Sequence, residues 1–469
     1  MTQTPLGDIA IVLHSHMPYV EGFGTYPFGE EWLFDAVIRS YLPVLEVARD
    51  LTMTITPVLA DQLESAATAK RLIDFTRSYR VESMELDAID VEPDLRPACE
   101  AEGRRYSDGL ARLEAVGGDV LSLFKAASER GRVELITSAA THAVLPLLAS
   151  RAGLRLQLET GIRSHRRRFG HSAGFWLPEC GYAPNLESAL ADEGIEYFCV
   201  DQSKHEDPLA ALRPIAAGNL TAFPIDWEAI SWLWAFDGYP SLGIYADFHR
   251  KSLRGARPWS IDGGAYDPLR GEEAARRHAR EFADAVAARL ADHRERAGLP
   301  GLVVFAIDTE LLGHWWWEGP IWLSEVLDAL PARGVATIKL AEAAARHPPQ
   351  RRPLHAGTWG DEKDFRNWDS PPVADLARGV RRLELRLLRE VSSRRHSRAA
   401  LERAARELLA AQASDWAFLD YRRQAGDYAF GRALDHAGAM YEALDSGGAV
   451  NPRLRCLAPD MRLAPLLEP

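Results

Sequence analysis

The chain has 469 residues, 47% of them hydrophobic and 26% charged, which is typical of a globular protein with a large core. Its 55 basic and 67 acidic side chains give a net charge of −12, and this balance argues against a protein that binds nucleic acid through a basic surface. Its apolar runs fall short of the roughly 18 residues of a membrane span. Residues 1–5 lack signal-peptide features, and the four cysteines lack CxxC spacing, so we expect a cytoplasmic protein with reduced thiols.

In chain order, short apolar segments alternate with helical patterns. This alternation predicts parallel βαβ units, and the length of the chain suits an α/β barrel with an appended domain. The predicted strands are Asp8–Leu13, Met53–Pro57, Val133–Ser138, Gly174–Leu177, Tyr197–Val200, Val303–Ile307 and Ala336–Leu340. The predicted helices between them are Glu30–Asp50, one from Leu59, Ser150–Phe169, Asn185–Glu193, Glu272–Ala297 and Ser324–Leu330.

Two regions depart from this alternation. Residues 70–130 read as a helical insertion, and Trp227–Trp259 reads as a long aromatic loop. Strands vanish beyond residue 371, so we expect a catalytic domain at 1–350 and an all-helical domain at 351–469. The helices predicted there are Ala374–Val391, His396–Ala413 and Arg422–Leu444.

Acidic residues follow two of the predicted strands. Pro178 ends the strand that begins at Gly174, and Glu179 comes next; Asp308 and Glu310 follow the strand from Val303. Parallel α/β folds place their chemistry at these carboxyl ends. Two carboxylates there can flank a glycosidic bond, and a separation of about 5–5.5 Å supports a retaining mechanism. The spacing alone does not decide between Asp308 and Glu310.

Histidines offer a second interpretation of the same edge. His14 and His16 lie two residues apart, a spacing that suits either one metal ion or hydrogen bonds to sugar hydroxyls. His142, Glu134 or His314 are available as further metal ligands. Since helical ligand pairs such as HExxH are missing, we favour sugar binding without a metal.

The tryptophans favour a carbohydrate cleft. Most of the 13 lie between Trp176 and Trp368, mainly in segments that read as loops. Indole rings stack on the C–H faces of sugars, whereas a structural role would spread them over periodic helix and strand faces.

Several ordered motifs resemble glycoside hydrolase family 57, in particular its 1,4-α-glucan branching enzymes. They extend over nearly the whole chain and, in order, are His14–Tyr19, Gly131–Leu135 with Thr141–Ala143, Trp176–Tyr182, Asp308–Trp315, Thr358–Gly360 with Trp368, and Ser414–Trp416.

The resemblance implies an incomplete (β/α)7 barrel with a C-terminal helical domain, and no metal or other cofactor. It implies that Glu179 is the nucleophile and selects Asp308 over Glu310 as acid/base. The remaining implied or expected substrate-binding residues are His14, His16, Trp32, His142, Trp176, Trp234, His314, Trp359, Trp368 and Asp415.

We therefore expect an enzyme that cleaves an α-1,4-glucan and transfers the segment to a 6-hydroxyl. The branching enzymes that it resembles have a mobile loop with a tyrosine over the site, whereas Asp201–Ala222 is short and contains no tyrosine. Appreciable hydrolysis is expected for that reason. The alternatives are an α-amylase or 4-α-glucanotransferase with the same site, a metal-dependent hydrolase or deacetylase that uses His14 and His16, and a non-catalytic glucan-binding protein.

Overall fold

A computed structural model describes residues 6–26, 28–205, 207–446 and 456–467. Residues 1–5, whose sequence lacks signal-peptide features, lie outside the described residues. No helix of the described residues has the length and apolar character needed to cross a membrane.

The strands of the described residues form one curved sheet. They are β1 (Gly7–Ser15), β2 (Leu51–Ile55), β3 (Val133–Ser138), β4 (Gly174–Trp176), β5 (Tyr197–Val200), β6 (Ile215–Ala217), β7 (Leu220–Pro224), β8 (Gly301–Asp308) and β9 (Val335–Thr337). Their order is β6-β7-β5-β4-β3-β2-β1-β8, with β9 also paired to β1. Neighbours are parallel except β6, which runs antiparallel to β7.

The sheet curls into an almost closed barrel. The rings of His14 on β1 and Trp176 on β4 stack at 4.6 Å, although two strands separate β1 from β4 in the sheet. On the open side, the backbone N–H of Asp226, just after β7, donates to the carbonyl of Val304 on β8 at 2.8 Å. The seven parallel strands from β7 round to β8 thus confirm the predicted incomplete (β/α)7 barrel.

The α-helices surround this sheet and extend beyond it. They are α1 (Glu30–Ala36), α2 (Leu42–Val47), α3 (Pro57–Glu64), α4 (Ala66–Phe75), α5 (Glu82–Asp90), α6 (Arg96–Ala115), α7 (Val120–Glu129), α8 (Arg151–Phe169), α9 (Leu186–Asp192), α10 (Trp227–Trp234), α11 (Pro268–Ala297), α12 (Gly319–Ala329), α13 (Leu340–Arg346), α14 (Ala374–Ser393), α15 (Arg398–Ala411), α16 (Ser414–Tyr421), α17 (Tyr428–Asp445) and α18 (Ala464–Leu467). A π-helical segment, Val37–Tyr41, joins α1 to α2 and makes the predicted Glu30–Asp50 helix nearly continuous.

The helical pattern at 70–130 corresponds to α4–α7, inserted between β2 and β3. The insertion is tied to the barrel by buried charges. Glu102 of α6 pairs with Arg39 at 3.3 Å and with Arg257 at 3.1 Å, and all three side chains are almost inaccessible to solvent. Because each buried charge has a partner, removal of Glu102 would leave two buried guanidinium groups without it.

Three local predictions were wrong. Residues 227–234 form helix α10 rather than loop, because Asp226 caps its first turn and Ala229, Ile230 and Leu233 are buried on one helical face. The many aromatic residues in the segment obscure the helical spacing of its apolar positions. The segment Asp201–Ala222, expected as a short loop after β5, contains β6 and the start of β7, which pair as a hairpin. The last predicted strand stops at Thr337, and Leu340 already begins α13.

The C-terminal helices pack on the barrel edge that carries the site. Glu384 of α14 accepts hydrogen bonds from the Ser150 hydroxyl and the Ala149 N–H at the start of α8. The helix predicted as His396–Ala413 ends at Ala411, and a new helix starts at Ser414. This break directs the start of α16 at the barrel, where the backbone N–H of Ser414 donates to the carbonyl of His142.

Candidate active site

The exits of β1 and β8 lie side by side. His14 is the register partner of Asp308 in this parallel pair. One residue further, the hydroxyls of Ser15 and Thr309 are hydrogen-bonded at 2.8 Å, which locks the two exits together. An imidazole and a carboxylate are therefore placed at the same depth by backbone register alone.

Glu179 has a strained backbone. It lies in the Pro178–Cys180 turn after β4, with φ 61° and ψ 22°, a left-handed conformation that non-glycine residues seldom adopt. Hydrogen bonds to both the backbone and the side chain of Glu179 stabilise this conformation. Its carbonyl accepts the Trp359 N–H at 2.9 Å, and its carboxylate accepts the Ser414 hydroxyl at 2.7 Å and the Trp359 indole N–H at 2.8 Å. Such strain at a fully constrained carboxylate is typical of a functional residue.

Burial raises the pKa of Glu179, and the hydrogen bonds from Ser414 and Trp359 act in the opposite direction. The two donors therefore favour the ionised form, the form required of a nucleophile.

Asp308 differs from Glu179 because the neighbouring charges that shift its pKa act in the same direction as burial. Burial, followed by the charges of Glu310, Glu179 and Asp415, raises its pKa well above the usual value. Asp308 is thus disposed to carry a proton at neutral pH, as a general acid must. Glu310 differs, because it accepts hydrogen bonds from the Tyr41 hydroxyl and the His16 backbone N–H. Burial raises the pKa of Glu310 to about 7 against these bonds.

Three histidines form one stack between the carboxylates. The rings of His16 and His142 are 4.0 Å apart, and those of His14 and His142 are 4.8 Å apart. Burial, then the neighbouring imidazoles, lower the pKa of both His14 and His142 well below the usual value. These two histidines are therefore neutral and suited to hydrogen bonding with hydroxyl groups.

His16 is the member of the stack whose pKa is raised. Burial alone would lower its pKa, but the charge and hydrogen bond of Asp415, together with Glu310 and Glu179, raise it. Its Nε2 atom lies 3.0 Å from the Asp415 carboxylate. The raised pKa favours the protonated imidazole, the form that stabilises negative charge on the surrounding carboxylates.

His16, His142 and Asp415 also form the group best placed to hold a metal ion among the described residues. Their potential ligand atoms lie within 4.8 Å of one another. Each is already engaged, however, because His16 pairs with Asp415 and His142 Nδ1 lies 2.8 Å from the Ser414 hydroxyl. A bound cation would have to displace these partners.

The aromatic residues predicted from sequence occupy different environments. Trp359 is half-buried beside Glu179, and its ring meets Trp176 edge-on at 5.1 Å. Trp176 and Trp368 are only 0% and 3% exposed. In the structure the Trp176 ring stacks on His14 and the Trp368 ring on Phe418, and their contact with a sugar stays a prediction.

The remaining predicted residues are Trp32, Trp234 and His314. Trp32 is half-buried, 5.5 Å from the Tyr428 ring, whereas Trp234 is 42% exposed and 6.1 Å from the Trp315 ring. His314 is buried next to Phe248, and burial, then the charge of Arg39, lower its pKa to about 3.

Two residues at the site had no assigned role in the sequence analysis. Ser414 was noticed only as part of a motif, although its hydroxyl contacts both Glu179 and His142. Tyr41, the partner of Glu310, lies within a helical pattern that gives no sign of chemistry. Both depend on contacts between residues far apart in the chain.

An incomplete α/β barrel with paired acidic residues at its strand exits and a helical C-terminal part defines a class of carbohydrate-active enzyme. The chain belongs to glycosyl hydrolase family 57, whose model matches residues 10–355. A second model, described as 1,4-alpha-glucan branching enzyme, C-terminal, matches residues 380–458.

Individual relatives match nearly the whole chain. It is 32% identical to a 1,4-α-glucan branching enzyme of Thermococcus kodakarensis, over 92% of this chain and 72% of that protein. It superimposes on the crystal structure of a branching enzyme of Pyrococcus horikoshii with a TM-score of 0.91 and 30% identity, covering 99% and 97% of the two chains. The α-amylase AmyC of Thermotoga maritima gives a TM-score of 0.86 at 25% identity, with 99% of each chain covered.

Proposed function

We propose that this protein is a 1,4-α-glucan branching enzyme that works by double displacement. The observation that carries the proposal is a pair of buried carboxyl groups: Glu179 accepts two hydrogen bonds that favour its ionised form, whereas burial and neighbouring negative charges raise the pKa of Asp308 well above its usual value. The similarity to branching enzymes over nearly the whole chain supports the substrate, an α-1,4-glucan.

In the first step, Glu179 attacks the anomeric carbon while Asp308 gives its proton to the departing glycosidic oxygen. His14, His16 and His142 bind sugar hydroxyls at the cleavage point, together with Asp415. This step leaves a glycosyl ester on Glu179 and a free reducing-end fragment.

In the second step, Asp308 acts as a base. Esterification removes the charge of Glu179, which is one of the causes of the raised pKa of Asp308. The pKa of Asp308 therefore falls, and its carboxylate takes the proton of the incoming 6-hydroxyl as that oxygen displaces Glu179. The product is a new α-1,6 linkage with retained configuration.

Hydrolysis to short glucans is the second candidate within the same chemistry. The fold similarity to an α-amylase along the full chain favours it, as does the short Asp201–Ala222 segment without a tyrosine. Transfer to a 4-hydroxyl is the third outcome of the same intermediate. A metal-dependent hydrolase is supported only by the His16, His142 and Asp415 group, and a silent glucan-binding protein only by the aromatic residues.

We further propose that residues 1–350 form the catalytic domain and that 351–469 close the cleft by supplying Trp359, Ser414 and Asp415. A cytoplasmic location, on an intracellular glucan, fits the four free cysteines.

The deciding experiment is incubation with amylose followed by enzymatic debranching of the product. Branching predicts new α-1,6 linkages in excess of new reducing ends, whereas an amylase produces reducing ends without new α-1,6 linkages. The Glu179→Gln protein serves as the matched control, since it lacks the nucleophile and should leave amylose unchanged. Failure to alter amylose at all would reject the proposed function.

A further inference from the structure

Ser414 connects the nucleophile to the histidine stack. Its hydroxyl lies 2.7 Å from Glu179 Oε1 and 2.8 Å from His142 Nδ1, and the side chain is only 3% exposed. On the far side of the ring, His142 Nε2 lies 2.9 Å from His14 Nε2. Four side chains thus form an unbroken line of three hydrogen bonds.

Proton counting sets the direction of this line. An ionised Glu179 only accepts, so the single hydroxyl proton of Ser414 points to it. Ser414 must then accept from His142, which places the proton of that neutral ring on Nδ1. His142 Nε2 is left as an acceptor, and the proton on His14 must therefore lie on Nε2.

An unpaired atom supports this order. With its proton on Nε2, His14 has a bare Nδ1, and this buried atom has no hydrogen-bond partner among the described residues. The opposite tautomer of His14 would bury an N–H donor without an acceptor, which is the more costly arrangement because a polar hydrogen would be removed from water unpaired.

Building on the proposed function, we propose that Ser414 is a positioning residue for Glu179, and that His14, His142, Ser414 and Glu179 form one directional hydrogen-bond chain ordered by the nucleophile's charge. The backbone supports the same assignment. Ser414 N–H donates to the carbonyl of His142, and both His142 and Glu179 have left-handed backbone conformations, with φ 60° and 61°. The serine at the start of α16 thus fixes two strained residues from two different strand exits.

The donor-to-acceptor direction of this hydrogen-bond chain should reverse when Glu179 is replaced by glutamine. Trp359 is a donor only, so the oxygen of a Glu179→Gln side chain must face its indole N–H, and the NH₂ group must face Ser414. Ser414 then accepts from the glutamine and donates to His142 Nδ1. The proton of His142 moves to Nε2, and His14 becomes the acceptor, so that its own proton takes the less favourable, unpaired position on Nδ1.

Nitrogen-15 NMR of histidine-labelled protein tests this order directly. The wild-type protein should show His142 protonated on Nδ1, with its signal assigned by its loss in a His142→Asn variant. Glu179→Gln should shift the proton to Nε2. The matched control is Asp308→Asn, which also replaces a carboxylate by an amide but should leave the His142 tautomer unchanged. A wild-type His142 protonated on Nε2, or the same tautomer in Glu179→Gln as in wild type, would overturn the proposal.

Kinetics give the second readout. Loss of a hydrogen bond to a charged group corresponds to about a 10- to 100-fold fall in kcat/KM for Ser414→Ala. The acidic limb of its pH profile should move to higher pH, because the Ser414 bond favours ionised Glu179. Ser414→Thr, which keeps a hydroxyl, should restore the limb. An unmoved limb in a folded Ser414→Ala protein would overturn the positioning role.

The other titratable groups facing Glu179 remain in place in Ser414→Ala and Ser414→Thr. They are His16, His142, Asp308 and Asp415. Should Ser414→Ala fail to fold, the comparison of wild type with Glu179→Gln still decides, since Ser414 is intact in both. The tautomers are measured without substrate. A wild-type protein that is inactive on amylose would therefore reject the proposed function without bearing on the hydrogen-bond chain.

Discussion

His16 and Asp415 form an ion pair with 3.0 Å between Nε2 and Oδ2, although 399 residues separate them in the sequence. The pair joins the exit of β1 to the first turn of α16, and its side chains are only 12% and 16% exposed. Solvent screening is therefore modest, and the pair fixes the C-terminal helices against the barrel at the site itself.

The stability that this pair provides should depend on pH. The folded-state pKa of His16 is raised above its ordinary 6.5, so the contribution is fully present below about pH 6.5 and is lost as the pH rises through the folded-state value. We expect Asp415→Asn to destabilise the protein by about 1.5–3 kcal/mol near pH 5.5 and by less near pH 8.5. Denaturant unfolding at both pH values measures this, and an equal loss at the two would contradict the assignment.

The three carboxyl groups should respond differently to amide substitution. Glu179→Gln and Asp308→Asn should each reduce turnover of amylose by at least about 1,000-fold while leaving the fold intact, because each group is needed in the double displacement. Glu310→Gln should remain active, since Glu310 supports rather than reacts. Rate assays with circular dichroism as the folding control test this. A dead Glu310→Gln beside an active Asp308→Asn would reverse the acid/base assignment.

Glu310→Gln should also change the pH profile. After burial, the charge of Glu310 is the next cause of the raised pKa of Asp308. Removing that charge lowers the pKa of Asp308. The proton needed for leaving-group departure is therefore lost at a lower pH. The alkaline limb of kcat/KM should move to lower pH. A limb that stays in place would show that Glu310 does not act on Asp308.

The strand exits could be predicted from sequence because the local signals agree. Apolar runs ended by Pro178 or followed by Asp308 are short, buried and unambiguous, and the barrel follows from their alternation with helices. The contacts of Ser414, Tyr41 and the Trp359 indole could not be predicted, since each depends on packing between elements far apart in the chain. Helix α10 was missed because tryptophans at 227, 232 and 234 obscure its apolar period.

Metal removal should separate the two enzyme classes. If His16, His142 and Asp415 bind sugar and one another, prolonged chelation leaves activity on amylose intact, and elemental analysis finds no stoichiometric transition metal. The untreated protein in the same buffer is the control. Loss of activity on chelation, with recovery on addition of a divalent metal, would reject the carboxylate-pair mechanism and favour the three potential ligands as a metal centre.

The fate of the proposed glycosyl ester depends on what excludes water from it. Asp201 accepts the Trp227 indole N–H and pairs with Lys363 at 3.1 Å, while Gln202 exchanges hydrogen bonds with the backbone of His355. These contacts hold the first residues of the 201–222 segment close to the 355–363 region, and the segment contains no tyrosine to place over the site.

We therefore expect reducing ends to accumulate steadily alongside new α-1,6 linkages when the protein acts on amylose. Water that reaches the ester competes with the glucan hydroxyl, so the ratio of hydrolysis to transfer should fall as the acceptor glucan concentration rises. Reducing-end assays and debranching of the same samples give the two rates, with Glu179→Gln as background. Branching with almost no gain in reducing ends would contradict the argument from the short segment. Another element would then exclude water, and Phe236, fully exposed just beyond α10, would be the first residue to replace by alanine.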